Sequence, residues 1–117
     1  MDLLQIAVDS AMDFGNKTYV FLKNMSKDKK TKPDLKPVNQ ECLAAYEGFI
    51  SHFKDLIAEA KTEPALATYD SLLAREEIHN SISALASVKN LNISARNKIA
   101  EDYYTKLCIK IADFLET

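Results

Sequence analysis

Residues 64–88 read PALATYDSLLAREEIHNSISALASV, and the rest of the chain is expected to be organised around this stretch. It has no Gly or Pro after its first turn, which favours a helix. At about 100° per residue, its large apolar residues fall on two nearly opposite faces, where a surface helix normally has one stripe. The pattern predicts a central third helix with neighbours on two sides, or a kink or break near Arg75.

The two faces make a definite prediction about burial. Each face should pack against a different neighbour within the bundle. A face that is exposed is expected to contact a partner, because large exposed apolar patches are uncommon on monomers. The residues expected to be buried are Leu66, Tyr69 and Leu73 on one side, and Ile78, Ile82 and Leu85 on the other.

Three further segments each carry a single apolar stripe and are predicted to be helices. The first spans about 2–24, and the second spans about 39–60 with Asn39 as its N-cap. The last runs from a cap at Ser94 or Asn92 to about residue 116. Its predicted stripe consists of Ala100, Tyr103, Leu107, Ile111 and Phe114.

The stretch 26–38 contains five Lys, two Asp and two Pro, and it is predicted to be a long mobile loop between the first two helices. Whether its lysines between Lys27 and Lys36 bind anything is left open at this point. Four stripes, one long loop and two short connections predict an all-α fold. We expect an antiparallel four-helix bundle that forms a single domain over residues 1–117.

Composition and charge limit the classes of function. The 117 residues carry a formal charge of −2, which predicts no general attraction for nucleic acid or acidic membranes. No apolar run approaches the roughly 20 residues of a membrane-spanning helix, and no signal peptide is recognised. The two Cys indicate reduced thiols, and we expect a cytoplasmic location.

No catalytic motif, cofactor-binding loop or metal-binding pattern is present in the sequence. His52, Asp55 and Glu59 lie on one flank of the second helix, but this flank is interpreted as a solvated surface. His79 lacks the basic neighbour of a phosphotransfer histidine. Cys42 is interpreted as a small buried residue. The sequence therefore predicts no enzyme, no cofactor and no metal.

The segment Arg96-Asn97-Lys98-Ile99-Ala100-Glu101-Asp102-Tyr103 resembles the HEPN family of small helical bundles. Its ribonuclease members carry Arg, four to six residues, His, one residue and Tyr, and their Arg and His act at an RNA-cleaving dimer interface. Arg96 and Tyr103 match this pattern, whereas Glu101 occupies the His position. The resemblance implies a degenerate, inactive relative of an RNase.

A second segment, Leu72-Leu73-Ala74-Arg75-Glu76-Glu77, looks like the helical ligand-sensing domains of bacterial chemoreceptors and nitrate sensors. Those domains carry Leu-Gln-x-Glu-Arg-Gly-type segments, and the Arg-Gly pair is missing here. This resemblance implies a helical bundle that senses a ligand. It is kept as a further alternative.

The favoured hypothesis is a small non-enzymatic module that binds another protein, such as an adaptor, an inhibitor or an immunity protein. Acidic faces favour a basic partner, and a homodimer is left open. Arg96 lies in line with the stripe of the last helix, and we expect it to extend into solvent or to pair with Glu76 or Glu77. The predicted binding residues are Glu47, Glu59, Glu76, Glu77 and Arg96.

Overall fold

The computed structural model describes residues 2–116, and these residues form an all-α four-helix bundle, as predicted. No strand occurs within them. The longest dimension of the bundle is 48 Å, against 21 and 16 Å for the other two. The helices are α1 (Asp2–Lys27), α2 (Leu35–Glu59), α3 (Ala65–Ala84) and α4, which joins Leu91–Ile99 and Lys106–Glu116 through a π-helical turn, Ala100–Thr105.

The loop between α1 and α2 is shorter than predicted and spans only residues 28–34. The helix α2 begins at Leu35 and tolerates Pro37 in its first turn, where a backbone N–H has no partner within the helix. Asn39, the predicted N-cap, is instead buried inside α2. Its side-chain amide donates to the Leu22 carbonyl at 2.9 Å and to the Ser26 hydroxyl, which ties α2 to the end of α1.

The core is built on large side chains of α2. Tyr46, Phe49 and Phe53 are fully buried, and successive rings lie 5.8 and 4.9 Å apart between their centroids. Gly15 of α1 faces this row, and a Cβ atom there would lie 2.9 Å from the Phe49 ring. The small residue therefore makes room for the aromatic one.

The helix α3 has no break near Arg75 and has one buried stripe, so the predicted two-sided burial is wrong. Its buried side chains are mostly small or polar, and Ile78 is the one large residue of the predicted sets that is fully buried. Tyr69 and Ile82 are exposed, because the aromatic residues of α2 already fill the space that α3 faces. The buried residues of α3 are Ala67, Asp70, Ser71, Ala74, Ile78, Ser81 and Ala84.

The predicted stripe of α4 is correct at Ala100 but is displaced after it. A π turn holds one more residue than an α turn, so each later side chain is rotated by about 100°. Cys108 and Ala112 are buried, and Tyr104 packs on Phe14 with ring centroids 4.9 Å apart. These positions follow by one residue those predicted to be buried. The predicted residues Tyr103 and Phe114 are exposed, and Leu107 and Ile111 are partly buried.

No helix within residues 2–116 is both long enough and apolar enough to cross a membrane.

Candidate functional site

The outer face of α3 carries exposed apolar side chains beside an acidic one. Tyr69 is 56% exposed and Leu72 is 45% exposed. Glu76, one turn after Leu72, is also exposed. Side chains three and four residues apart on a helix are neighbours, so these three form a continuous strip. We call Tyr69, Leu72 and Glu76 the α3 strip.

Carboxylates line the edge where α3 meets α2. Asp55 and Glu59 of α2 lie close enough to Asp70 of α3 to raise the pKa of its carboxyl group. Glu77 lies two turns further along α3 on the same edge, against α2. We call Asp55, Glu59, Asp70 and Glu77 the acidic margin. Because Asp70 directly follows Tyr69, the acidic margin runs beside the α3 strip.

Asp70 is the most deeply buried member of the acidic margin. Its side chain is only 3% exposed, and its Oδ2 atom has no hydrogen-bond partner. Burial and, to a smaller extent, the nearby carboxylates of Glu59 and Asp55 together raise the pKa of this carboxyl group to about 6, against the opposing effect of His52. The acidic margin therefore loses one negative charge when the pH falls through about 6.

Glu77 is held over the backbone of α2. A Cβ atom at Gly48 would overlap the Glu77 carboxylate, so the glycine provides the space for it. The carboxylate accepts from the Asn80 amide at 3.2 Å and lies 3.6 Å from His52 Nε2. His52 is thus a neighbour of the acidic margin. Among residues 2–116, no group of three or more His, Cys, Asp or Glu is arranged to hold a metal ion.

The structure brings together three of the five predicted binding residues. Glu59 and Glu77 belong to the acidic margin, and Glu76 belongs to the α3 strip. Glu47 lies on the opposite edge of α2, where it lines a shallow groove with Tyr19 of α1. The acidic face expected from the sequence is therefore divided between two edges of α2.

Arg96 is the remaining predicted binding residue, and it pairs neither with Glu76 nor with Glu77. Its Nη1 atom donates to Thr18 Oγ1 at 2.9 Å, and its guanidinium lies 4.5 Å from the centre of the Phe21 ring. Both contacts are with α1. Stacking on an aromatic face and a hydroxyl acceptor suit the planar guanidinium, so Arg96 joins α4 to α1.

A buried polar cluster lies beside Arg96. The Oδ1 atom of Asn97 accepts from the Tyr46 hydroxyl and from the Ser81 hydroxyl, each at 2.9 Å. Asn97 is 1% exposed, and its Nδ2 atom has no hydrogen-bond partner. An unpaired buried donor is costly, so an additional acceptor at this amide would stabilise the folded state.

The residues that resemble the HEPN pattern have separate partners. Arg96 contacts α1, whereas the Glu101 carboxylate contacts His79 Nε2 of α3. Tyr103 is exposed and packs edge-on against Tyr104. These three side chains do not converge on a common point, although a histidine does stand beside Glu101.

Asp70 and the polar cluster were not predicted as functional residues. A signal for the buried face was present, because Ala67, Ser71 and Ala74 recur at the helical spacings of four and three. Asp70 and Ser81 fall on the same face as these small residues. The contacts of Asn97 depend on the rotation of α4 relative to α2 and α3, and no local pattern encodes that rotation.

A scan against protein-family models finds no match for this chain, and searches of curated proteins and of solved structures find none either.

Proposed function

We propose that this protein is a small binding module without catalytic activity, of the adaptor, inhibitor or immunity type, and that it binds another protein through the α3 strip and the acidic margin. One observation carries the proposal. The helix α3 buries small side chains and leaves Tyr69 and Leu72 in solvent. Tyrosine is enriched among the residues that dominate protein–protein binding energies, because it buries a large area with few rotatable bonds.

The acidic margin supports a basic partner. Glu59 and Asp55 lie beside Asp70, Glu77 lies two turns further along the same edge, and Glu76 adds a further charge within the α3 strip. Complementary charge around an apolar centre accelerates association and disfavours wrong partners. The proposed partner surface therefore has an apolar patch bordered by Lys or Arg.

A cytoplasmic location is part of the same proposal. Its support is that Cys42 and Cys108 are free, buried thiols, as is usual in a reducing compartment. A second copy of the chain is a further occupant of the same surface, and the experiment below distinguishes it by mass.

Photo-crosslinking in cells of the source organism tests this proposal. A photoreactive amino acid at Leu72 should give a defined adduct, whereas the same label at Val20, an exposed apolar position on α1, should not. Glu59→Lys and Glu76→Lys should weaken the Leu72 adduct, and Glu47→Lys, on the other edge of α2, is the matched control. An adduct of twice the chain mass identifies a homodimer. Equal labelling from Leu72 and Val20 would contradict the proposal.

Ligand sensing is a second candidate function, and the unpaired Nδ2 donor of Asn97 favours it. This donor lies in a polar cluster next to the cationic Arg96, so a small anion is the ligand class that fits. Binding to the folded state raises Tm. A screen of small inorganic anions should find one that raises the Tm of the wild-type chain but not of the Arg96→Gln variant. Equal shifts in both proteins would exclude this site.

A further inference from the structure

The charge of this molecule is distributed unevenly along the bundle. The loops 28–34 and 85–90, together with the seven residues of α3 and the eight residues of each other helix that adjoin them, cover residues 20–42 and 78–98. We call this part the basic end. It contains nine of the fifteen Lys and Arg but only three of the seventeen Asp and Glu, a formal charge of +6. The remainder of the chain carries −8.

The charges of the basic end are not neutralised internally. All eight of its lysines are exposed, and none forms a salt bridge within residues 2–116. Asp28, one of its three acidic residues, accepts a hydrogen bond at 2.9 Å from the Lys30 backbone N–H, which carries no charge to neutralise it. The two loops face each other across an open cleft of 530 Å³ that Lys30, Lys32 and Lys89 help to line.

The length of the bundle makes this division effective. The bundle is 48 Å long, whereas the electrostatic screening length at physiological salt is about 8 Å. An anionic surface that touches the basic end is therefore screened from most of the acidic groups at the far end. The expectation of no attraction to acidic membranes was based on the net charge of −2. A membrane that touches the basic end is exposed mainly to the local charge of +6.

The side chains of the basic end favour a lipid surface over nucleic acid. Its only Phe, Tyr or Trp, Phe21, is covered by the Arg96 guanidinium and is not free to stack on a base. The remaining cations are lysines, which act as point charges and do not form the bidentate fork of arginine. Leu91, two residues after Lys89, is 72% exposed and begins α4 at this end. An exposed leucine among lysines can enter a headgroup layer, and a phosphodiester backbone offers it no comparable environment.

We propose that the basic end docks this protein on an anionic lipid membrane. The bundle then stands end-on, and its acidic part points away from the surface. The binding is peripheral: lysines supply the attraction, and Leu91 supplies a single apolar contact. Clusters of four to eight cations of this kind are typical of segments that bind anionic lipids. The proposal does not depend on the protein partner proposed above.

Vesicle co-sedimentation of the full chain tests the proposal. The protein should bind vesicles in which about a third of the phosphatidylcholine is replaced by phosphatidylserine, and it should not bind phosphatidylcholine alone. Raising the salt from about 0.05 M to about 0.5 M should release it. The triple variant Lys30→Glu, Lys32→Glu, Lys89→Glu should bind at least about tenfold more weakly.

A matched control separates the basic end from net charge. Lys54→Glu, Lys61→Glu, Lys110→Glu changes the net charge by the same amount at exposed positions elsewhere, and binding should change by less than about twofold. Leu91→Ser should weaken binding to vesicles several-fold, and circular dichroism checks that each variant is folded.

Three results would overturn the proposal. The first is an absence of salt-sensitive binding to the phosphatidylserine vesicles. The second is an equal loss of binding in the two triple variants. The third is tighter binding to a short single-stranded or duplex RNA than to vesicles at the same salt concentration, which would assign the basic end to nucleic acid.

Discussion

The neighbouring helices α2 and α3 use their side chains in opposite ways. The helix α2 buries its largest residues, Tyr46, Phe49 and Phe53, whereas α3 buries Ala67, Ala74 and other small residues. Large and small faces fit because the total volume between two helices is limited. Whether a large apolar residue is buried therefore depends on how much of the space between the helices the side chains of the neighbouring helix already fill. The apolar side chains of α3 that stay exposed after folding, Tyr69 and Leu72, belong to the surface proposed above for binding.

Single-residue deletions in the regular helix α2 and in the π turn of α4 should differ more in their effect on stability than any other pair of variants. Removing the exposed Lys54 rotates all later residues of α2 by about 100° relative to α3, so we expect loss of cooperative unfolding. Removing the exposed Tyr103 should convert the π turn of α4 into an α turn and keep Cys108 and Ala112 buried.

Circular dichroism with urea titration measures both deletions. The α4 deletion should retain a cooperative transition, and its free energy of unfolding should change by no more than about 2 kcal/mol. If both deletions unfold the protein, the π turn holds no spare residue.

Truncation of one aromatic residue on each helix tests the comparison directly. Phe53→Ala removes a fully buried ring and should lower the free energy of unfolding by about 3–5 kcal/mol. Tyr69→Ala removes an exposed ring and should lower it by about 0.5 kcal/mol or less. Chemical denaturation measures both, and similar losses would mean that the α3 strip is part of the core.

Titration of Asp70 should give the next largest effect. The pKa of its carboxyl group is about 6 in the folded protein and has an ordinary value of 3.8. The folded state therefore binds more protons between these values, and the contribution of Asp70 to stability falls as the pH rises from about 4 to about 6. The expected loss is on the order of 3 kcal/mol, since one pKa unit corresponds to about 1.4 kcal/mol.

Comparison of Asp70→Asn with the wild type isolates this contribution. The variant should gain stability relative to the wild type as the pH is raised from 4 to 7, because its amide does not ionise. Asp34→Asn, at an exposed helix start without a side-chain cap bond, is the control for the loss of a carboxylate elsewhere in the chain. Parallel curves for Asp70→Asn and the wild type would mean that Asp70 titrates normally.

Replacing each of the two glycines by alanine should give the smallest changes in the free energy of unfolding, and the two changes should have opposite signs. Alanine stabilises a helix interior by about 1 kcal/mol relative to glycine. At Gly15 the new methyl group would press on the buried Phe49 ring, so a net loss of about 1 kcal/mol is expected. At Gly48 it meets the flexible end of Glu77, which can move away from His52, so a small net gain is expected. Thermal unfolding of both variants measures the difference, and a gain at Gly15 would show that Phe49 can relax.

The sequence was sufficient for the fold class, because three helices have a single clear stripe and the polar stretch after α1 is a strong loop signal. It was not sufficient for the faces of α3. The prediction from periodicity gave most weight to large apolar residues. The face that is buried in the structure instead contains the small residues Ala67, Ser71 and Ala74. The π turn in α4 displaced the predicted stripe by one residue, since periodicity assumes constant turn size.

The candidate site was predictable in part. Glu59, Glu76 and Glu77 could be identified as acidic surface residues, and they do lie on one side of the bundle. Asp70 could not be placed, because its burial depends on the close packing of α2 and α3. The expected partners of Arg96 were wrong because Thr18 and Phe21 are remote in sequence and no charge marks them as a binding position.

The burial of both cysteines has a practical consequence. Burial raises the pKa of the Cys42 thiol and raises that of the Cys108 thiol to about 12, so neither provides much thiolate near neutral pH. A maleimide probe should therefore ignore both native thiols and react with a cysteine introduced at the surface. One fluorophore in place of Leu72 and another in place of Leu91 would report, in an otherwise unaltered chain, which surface is occupied first.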